Sequence, residues 1–258
     1  MRFAFEVRHG RGPALEFAGR LEEIIADSGG EVVDTDEKPD MLVSVGGDGT
    51  MLGAVRRALV WDVPILGFNL GTLGFLAQAE PGEARAAIER IVAGDYRIED
   101  RMTVTATVGQ AAATGVNDVV VEKVDSTRLI NLEVTIDGEP FTSYRADGLI
   151  VATPTGSTAY SFSAGGPLVD PRLDALIVTP VASHSLFDRA LVLPPSTTIA
   201  LRVSRDRAVR ANVDKASLGE LNEGQVVEIR RGERPARFVA FGSDGFPALI
   251  KDKFGLTW

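Results

Sequence analysis

The chain of 258 residues has no cysteine, which excludes a disulfide framework, a thiolate zinc site and a cysteine nucleophile. Histidine is nearly absent: His9 and His184 are the two imidazoles, too few for a histidine-rich metal centre. Basic residues are outnumbered, 27 Lys and Arg against 36 Asp and Glu, giving a formal charge of -9. That sign disfavours nonspecific binding to nucleic acid or to an anionic membrane, yet leaves room for local basic pockets that hold phosphates. No apolar run approaches the ~20 residues that span a bilayer. The opening MRFAFEVRHG reads as a first strand; a signal peptide would follow its basic start with a longer apolar run. A cytoplasmic location is the expectation. Hydrophobic residues make up 45% and charged residues 24%, the balance of a globular chain that can build one large domain or two modest ones.

The first hundred residues alternate between strand and helix patterns. Arg2 to Val7 is a strand, and a helix with Leu15, Ala18, Leu21 and Ile25 on one face follows, stopped by Gly29-Gly30. Met41 to Val45 is apolar without alternation, as a strand buried on both faces is. A helix carrying Met51, Leu52, Val55, Ala58 and Leu59, a strand over Val63 to Phe68 and a helix carrying Ala84, Ala87, Ile88, Ile91 and Val92, closed by Gly94, come next. Such alternation predicts parallel βαβ units in an open, Rossmann-like α/β sheet.

Near residue 97 the period changes to two. Met102 to Val108 and Asn131 to Ile136 alternate, and Asp137-Gly138 is a hairpin turn leading into Phe141 to Tyr144. Later strand candidates are Leu176 to Pro180, Thr198 to Ser204, Ala208 to Val213, Val226 to Arg230 and Arg237 to Phe241. The expected division is an α/β domain over residues 1–96 and 242–258, and a β-rich domain over 97–241. The terminal LIKDKFGLTW is apolar enough to dock.

Three segments carry chemistry. In VSVGGDGTML a buried strand runs through Gly46-Gly47-Asp48-Gly49-Thr50 into a helix. Loops at the carboxyl ends of strands bind ligands in such sheets, and glycines let backbone N–H groups approach phosphate oxygens. An acid in a phosphate cradle is repulsive unless it meets a metal, a hydroxyl proton, or both. The competing structural account makes Asp48 a helix N-cap, which explains most isolated Gly-Asp-Gly triplets. The second segment, DGLIVATPTGSTAYSFSAGGP over residues 147–167, has more hydroxyls and turn elements than a simple turn needs, and an aromatic to lie against a flat heterocycle. The third group is weaker: Asn69 to Leu76 (NLGTLGFL), expected at the same sheet edge as GGDGT, and Asn117-Asp118, each explicable as turn chemistry, with Phe75 a core residue by default.

Together, in order and spacing, GGDGT, NLGTLGFL, Asn117-Asp118, the TPTGSTAYSFSAGGP run, TPVASHSLFDRALVLP over residues 179–194 and the terminal KDKFG resemble the NAD kinase family, from about residue 40 onward. GGDGT is shared with lipid kinases and is similar to the phosphofructokinase loop, whereas TPTGSTAY is far more specific. The resemblance implies an α/β domain, a β-rich domain and a C-terminal segment returning to the first, with NAD in the cleft between them. It implies Asp48 as general base, also contacting a ribose region with Gly49, and Gly46 and Gly47 facing the phosphate donor. Asn117 and Asp118 match a pair that holds adenine and ribose. Arg128 and Arg145 match basic positions near the dinucleotide, and Asp147 a substrate-binding carboxylate sometimes contributed across a subunit interface. Thr158, Ala159, Tyr160 and Ser163 match the run lining the NAD pocket, and Phe75 an aromatic at the adenine side. Two departures stand out: Val181-Ala182-Ser183 where many bacterial members have proline and cysteine, and Asp214-Lys215-Ala216 where the family commonly has Asp-Gly-Gln.

The activity so implied is phosphorylation of the adenosine 2′-hydroxyl of NAD to give NADP, with ATP or polyphosphate as donor and a divalent cation, Mg²⁺, on the donor phosphates. A homo-oligomer, dimer or tetramer, is also implied. Rival readings are another GGDGT-loop kinase acting on a lipid or sugar phosphate, and a non-catalytic NAD-sensing module. No amphipathic basic helix supports the lipid kinase, and the retained Asp48 argues against a decayed site. A Ser-His hydrolase at His184-Ser185 lacks a nucleophile elbow.

Overall fold

The computed structural model describes all residues except 9–11, 35, 72–73, 77–78, 205–207, 243–244 and 257–258. His9, and Thr72 and Leu73 of the NLGTLGFL segment, lie outside the described residues. The chain divides into two compact units, residues 1–100 with 236–258, and residues 101–235.

The first unit opens with β1 (Arg2–Val7), α1 (Gly12–Asp27), β2 (Glu31–Val32), β3 (Met41–Gly46), α2 (Asp48–Trp61), β4 (Ile65–Asn69), α3 (Ala84–Val92) and β5 (Arg97–Arg101). Pairs β1·β2, β1·β3 and β3·β4 are parallel, as βαβ connections require. Met41, Val43 and Val45 of β3 join a core cluster with Phe17, Leu21 and Ile25 of α1 and Ile88 and Ile91 of α3. Leu42 and Ser44 on the opposite face are also buried, so the non-alternating run does mark a doubly covered strand. The buried face of α1 is Ala14, Phe17, Ala18, Leu21 and Ile25; Leu15, expected on it, is exposed. In α2 the buried residues are Met51, Ala54, Val55 and Ala58, with Leu52 and Leu59 only half-buried.

The second unit is a sandwich of two six-stranded sheets whose determined pairings are antiparallel. Its strands are β6 (Val104–Val108), β7 (Ala111–Gly115), β8 (Asp118–Lys123), β9 (Ile130–Ile136), β10 (Glu139–Ala146), β11 (Gly148–Ala152), β12 (Leu176–Val181), β13 (Leu191–Leu193), β14 (Ile199–Ser204), β15 (Val209–Val213), β16 (Ala216–Leu221) and β17 (Val226–Arg231), with a four-residue helix α4 (Tyr160–Ser163). One sheet runs β10-β9-β14-β17-β6-β7 and the other β13-β12-β11-β8-β15-β16. Residues of both sheets share one core cluster, among them Val104, Leu132, Tyr144, Val119, Leu149 and Leu176. Asp137 and Gly138 take φ of 50° and 86°, the positive values a two-residue hairpin turn demands.

The chain then returns to the first unit through β18 (Ala236–Ala240) and α5 (Phe246–Phe254). Strand β18 pairs parallel with β4, Phe238 opposite Ile65, completing the order β2-β1-β3-β4-β18-β5. The expected boundaries are corrected here: residues 97–100 and 236–241, placed with the β-rich half on sequence, belong to the α/β unit because β5 and β18 extend its sheet. The fold is thus an open α/β unit, a β-rich unit and a C-terminal return. Among the described residues no helix is long and apolar enough to cross a membrane.

Candidate active site

In the first unit, β1 and β3 lie side by side while the chain leaves β1 toward β2 and β3 toward β4. This is a topological switch point, where two loops diverge and open a crevice at the carboxyl ends of the strands. The GGDGT loop sits there. Arg8 N–H donates to the Val45 carbonyl at 3.1 Å, and Leu70 N–H donates to the Gly46 carbonyl at 3.3 Å. The loops after β1, β3 and β4 are thereby tied together, placing NLGTLGFL at the same sheet edge as GGDGT. A side chain on Gly46 would stand 2.3 Å from the Thr50 hydroxyl, whereas one on Gly47 would meet nothing within 4 Å.

Asp48 does not cap its helix. The N-cap is Gly47, and no side chain makes a capping bond. Asp48 is instead the first helical residue, and its Oδ2 accepts the Phe75 N–H at 3.2 Å, a contact spanning 27 positions. Its Oδ1 is buried and has no hydrogen-bond partner among the described residues. A buried acceptor left unsatisfied is costly, and in a functional loop it marks where a donor from a ligand belongs. Gly74 makes the approach possible: a Cβ there would lie 2.0 Å from Asp48 Oδ1. The ring of Phe75 carries the Lys253 ammonium, 5.3 Å from its centroid. Phe75 is therefore not a core residue but a half-buried ring between the catalytic candidate's loop and the last turn of α5.

In the second unit, antiparallel pairing sets Asp118, at the start of β8, opposite Ala152, at the end of β11. That register brings Asn117-Asp118 against the TPTGSTAY turn. Val119 and Val121 point into the sandwich, so Asp118, Val120 and Glu122 face the other side of the sheet, where Val120 packs with Ile150, Ala152 and Ile177. Gly156 lies so close that a Cβ would stand 2.1 Å from the Asn117 carbonyl oxygen. Much of the hydroxyl-rich run is structural. Thr153 Oγ1 donates to the Val116 carbonyl and accepts the Gly156 N–H, Ser157 Oγ exchanges bonds with both main-chain groups of Val169, and Ser161 Oγ bonds Thr179 Oγ1 at 2.9 Å. Left facing outward are Thr158 and Ala159, half-buried, and Tyr160 and Ser163, exposed. Thr158 Oγ1 also bonds within the turn, to the Thr155 carbonyl at 3.1 Å, so the hydroxyls of Tyr160 and Ser163 are the ones left on the outer side.

Asp118 is 6% exposed, and its carboxyl is pushed up to about 7, first by burial and then by the charge of Asp214. The Tyr160 hydroxyl is also raised, by burial first and then by Glu122, Asp147 and Asp118, which places those acids around it. Asp147 pairs with Lys123 at 2.5 Å. Arg128 and Arg145, expected near the dinucleotide, are exposed, and neither guanidinium has a hydrogen bond or ion pair among the described residues. The main chain of Arg145 instead holds the 183–185 segment: its carbonyl accepts the His184 N–H, and its N–H donates to Ser185 Oγ. Sequence reasoning missed Gly74, Lys253 and Asp214; the glycine spacing in NLGTLGFL and the Asp at the 214 turn were the available signals.

A parallel α/β unit with an acid-bearing glycine loop at its switch point is followed in the chain by an antiparallel β sandwich, an architecture whose loop is of the kind that holds phosphates. Residues 20–96 match the ATP-NAD kinase N-terminal domain, and residues 116–241 match the ATP-NAD kinase C-terminal domain. The NAD kinase of Symbiobacterium thermophilum is 42% identical over 224 residues, 84% of this chain and 79% of that protein. The NAD kinase of Thermococcus sibiricus is 37% identical over 277 residues, 98% of this chain and 100% of that protein. The crystal structure of an NAD kinase from Archaeoglobus fulgidus in complex with ATP superposes with a TM-score of 0.80 at 26% identity, covering 100% of both chains. In fold, yeast NADH kinase, solved with NADH, matches with a TM-score of 0.91 at 23% identity, over 100% of this chain and 88% of that one. The chain belongs to the NAD kinase family.

Proposed function

We propose that this protein phosphorylates the adenosine 2′-hydroxyl of NAD to make NADP in the cytoplasm, with Asp48 as the carboxylate that takes the hydroxyl proton. The observation that carries it is Asp48 Oδ1, buried and without a partner among the described residues, while Oδ2 is fixed by the Phe75 N–H. One oxygen orients the group; the other is held ready for a donor hydroxyl. Phosphoryl transfer asks for positioning and charge neutralisation more than for covalent chemistry, so a rotationally fixed carboxylate suits it. Asp48 orients the alcohol and accepts its proton late, as the P–O bond forms. Gly46 and Gly47 form the side of the loop that meets the phosphate donor, and the open space beside Gly47 supports that role. Asn117, Asp118, Thr158, Ala159, Tyr160 and Ser163 recognise the dinucleotide, with Asp147 beside them.

Among the described residues no group of three or more His, Cys, Asp or Glu gathers to hold a metal ion. A divalent cation would arrive on the donor's phosphates and be held there by phosphate oxygens and water, leaving Asp48 Oδ1 to the acceptor hydroxyl. Mg²⁺, when bound, offsets the charge of the transferring phosphoryl group. As an assembly the protein is a dimer or tetramer, a reading supported by Leu186, Phe187 and Phe141, exposed together with the two rings in edge contact at 5.8 Å.

The test is a coupled assay for NADP formation with ATP and with polyphosphate in the presence of Mg²⁺. NADP formation with either donor is expected; phosphorylation of diacylglycerol in place of NAD would overturn the assignment.

A further inference from the structure

Asp214 occupies the turn between β15 and β16, where Val213 pairs with Ala216, and its φ is 50°. Lys215, the second turn residue, is not among the residues with positive φ, so the turn does not require the glycine that the family commonly has there. The Asp214 carboxylate accepts three consecutive main-chain N–H groups: Val116 at 2.9 Å to Oδ2, and Asn117 at 3.0 Å and Asp118 at 3.1 Å to Oδ1. Its own N–H donates to the Asp118 carbonyl at 2.9 Å. The remaining groups go to Thr153, whose hydroxyl donates to the Val116 carbonyl and whose N–H donates to the Asn117 carbonyl at 2.8 Å. All six main-chain polar groups of residues 116–118 are thus satisfied, four by Asp214 and two by Thr153. Gly115 permits the approach, since a Cβ there would stand 2.6 Å from Asp214 Oδ2.

A hairpin turn could cap a strand end with neutral groups. A carboxylate spent on three N–H groups, beside the buried carboxyl of Asp118, adds like-charge repulsion that a purely structural tie has no need of. We propose that Asp214 is a positioning residue for dinucleotide recognition: it locks the backbone of residues 116–118 so that the Asn117 and Asp118 side chains are presented to NAD in one fixed geometry. The role rests on the reading of this chain as an NAD kinase and deepens it, since it acts through Asn117 and Asp118 and touches no reacting atom.

Positive φ at 214 allows a clean test, because glycine and asparagine both tolerate that conformation. Asp214→Gly removes the carboxylate without backbone strain, and Asp214→Asn keeps Oδ1 for the Asn117 and Asp118 N–H groups but loses the acceptor for Val116. Calorimetry with NAD, KM for ATP, Tm and amide exchange at residues 116–118 are measured on the full chain. Expected for Asp214→Gly are faster exchange at 116–118 and about tenfold weaker NAD binding, with KM for ATP within about twofold of the parent. Asp214→Asn is expected to recover part of the NAD affinity. Unchanged NAD affinity in folded Asp214→Gly, or NAD and ATP affinities falling together with Tm, overturns the proposal; if Asp214→Gly does not fold, unchanged affinity in Asp214→Asn does so. A parent protein that binds no NAD overturns the kinase reading itself, an outcome separate from any difference between variants.

Discussion

The main-chain N–H of Phe75 donates to Oδ2 of Asp48, so the segment after β4 orients an acid on the helix after β3. Phe75 is in turn covered by the Lys253 ammonium from the last turn of α5. The carboxylate is held by its surroundings rather than by its own helix, which leaves one oxygen free of structural duty. Preorganisation of this kind removes the need to reorient a group at the moment of transfer.

Replacing Asp48 with Asn keeps the size of the side chain and an oxygen for the Phe75 N–H but removes the proton acceptor. We expect kcat to fall by about 10²- to 10⁴-fold while Kd for NAD changes little, read by NADP formation and by calorimetry. Near-normal turnover in Asp48→Asn would mean that Asp48 is not the base.

Gly74→Ala inserts a methyl 2.0 Å from Asp48 Oδ1, so the carboxylate or the 74–75 segment must move. Because a misplacement near 1 Å costs about 10²-fold in rate, kcat should drop by that order with NAD affinity preserved. A Gly74→Ala enzyme with full kcat would show that the Asp48 orientation is unimportant.

Gly156→Ala would set a Cβ 2.1 Å from the Asn117 carbonyl oxygen, and both partners are backbone in a tightly bonded turn. The expected cost is about 1–3 kcal/mol of stability, together with weaker NAD binding. Urea unfolding and NAD titration of the same preparation check both.

The carboxyl of Asp118 is raised from 3.8 to about 7 in the folded chain. Between those values the unfolded state is ionised while the folded state keeps the proton, so the group's contribution to stability declines as pH rises from about 4 to 7 and is flat above. Asp118→Asn removes this slope. Its Tm relative to the parent should therefore climb across that window and level off beyond it, by several degrees in thermal melts; parallel pH profiles would show that Asp118 does not titrate there.

Much of this was legible along the chain. GGDGT is bounded by an apolar strand and an amphipathic helix, and both signals are local. The Asp137-Gly138 hairpin announced itself because a two-residue turn must contain residues that tolerate positive φ. The hydroxyls of residues 153–163 were legible as a special segment but not as two sets. Whether a serine serves the turn or the ligand depends on partners such as Val169 and Thr179, which no spacing rule names.

Residue order by itself determined the α/β unit, the β-rich unit and the loop that carries Asp48, because periodicity and turn chemistry are properties of neighbouring residues. Only the tertiary structure decided that β18 completes the first sheet, that Gly74 and Phe75 set the Asp48 carboxylate, and that Asp214 holds Asn117 and Asp118. Each of those contacts joins residues far apart in the chain, β18 to β4 by parallel pairing with no tight turn to mark it. Their geometry is fixed by sheet register and close glycine packing, quantities that exist only once the strands have found one another.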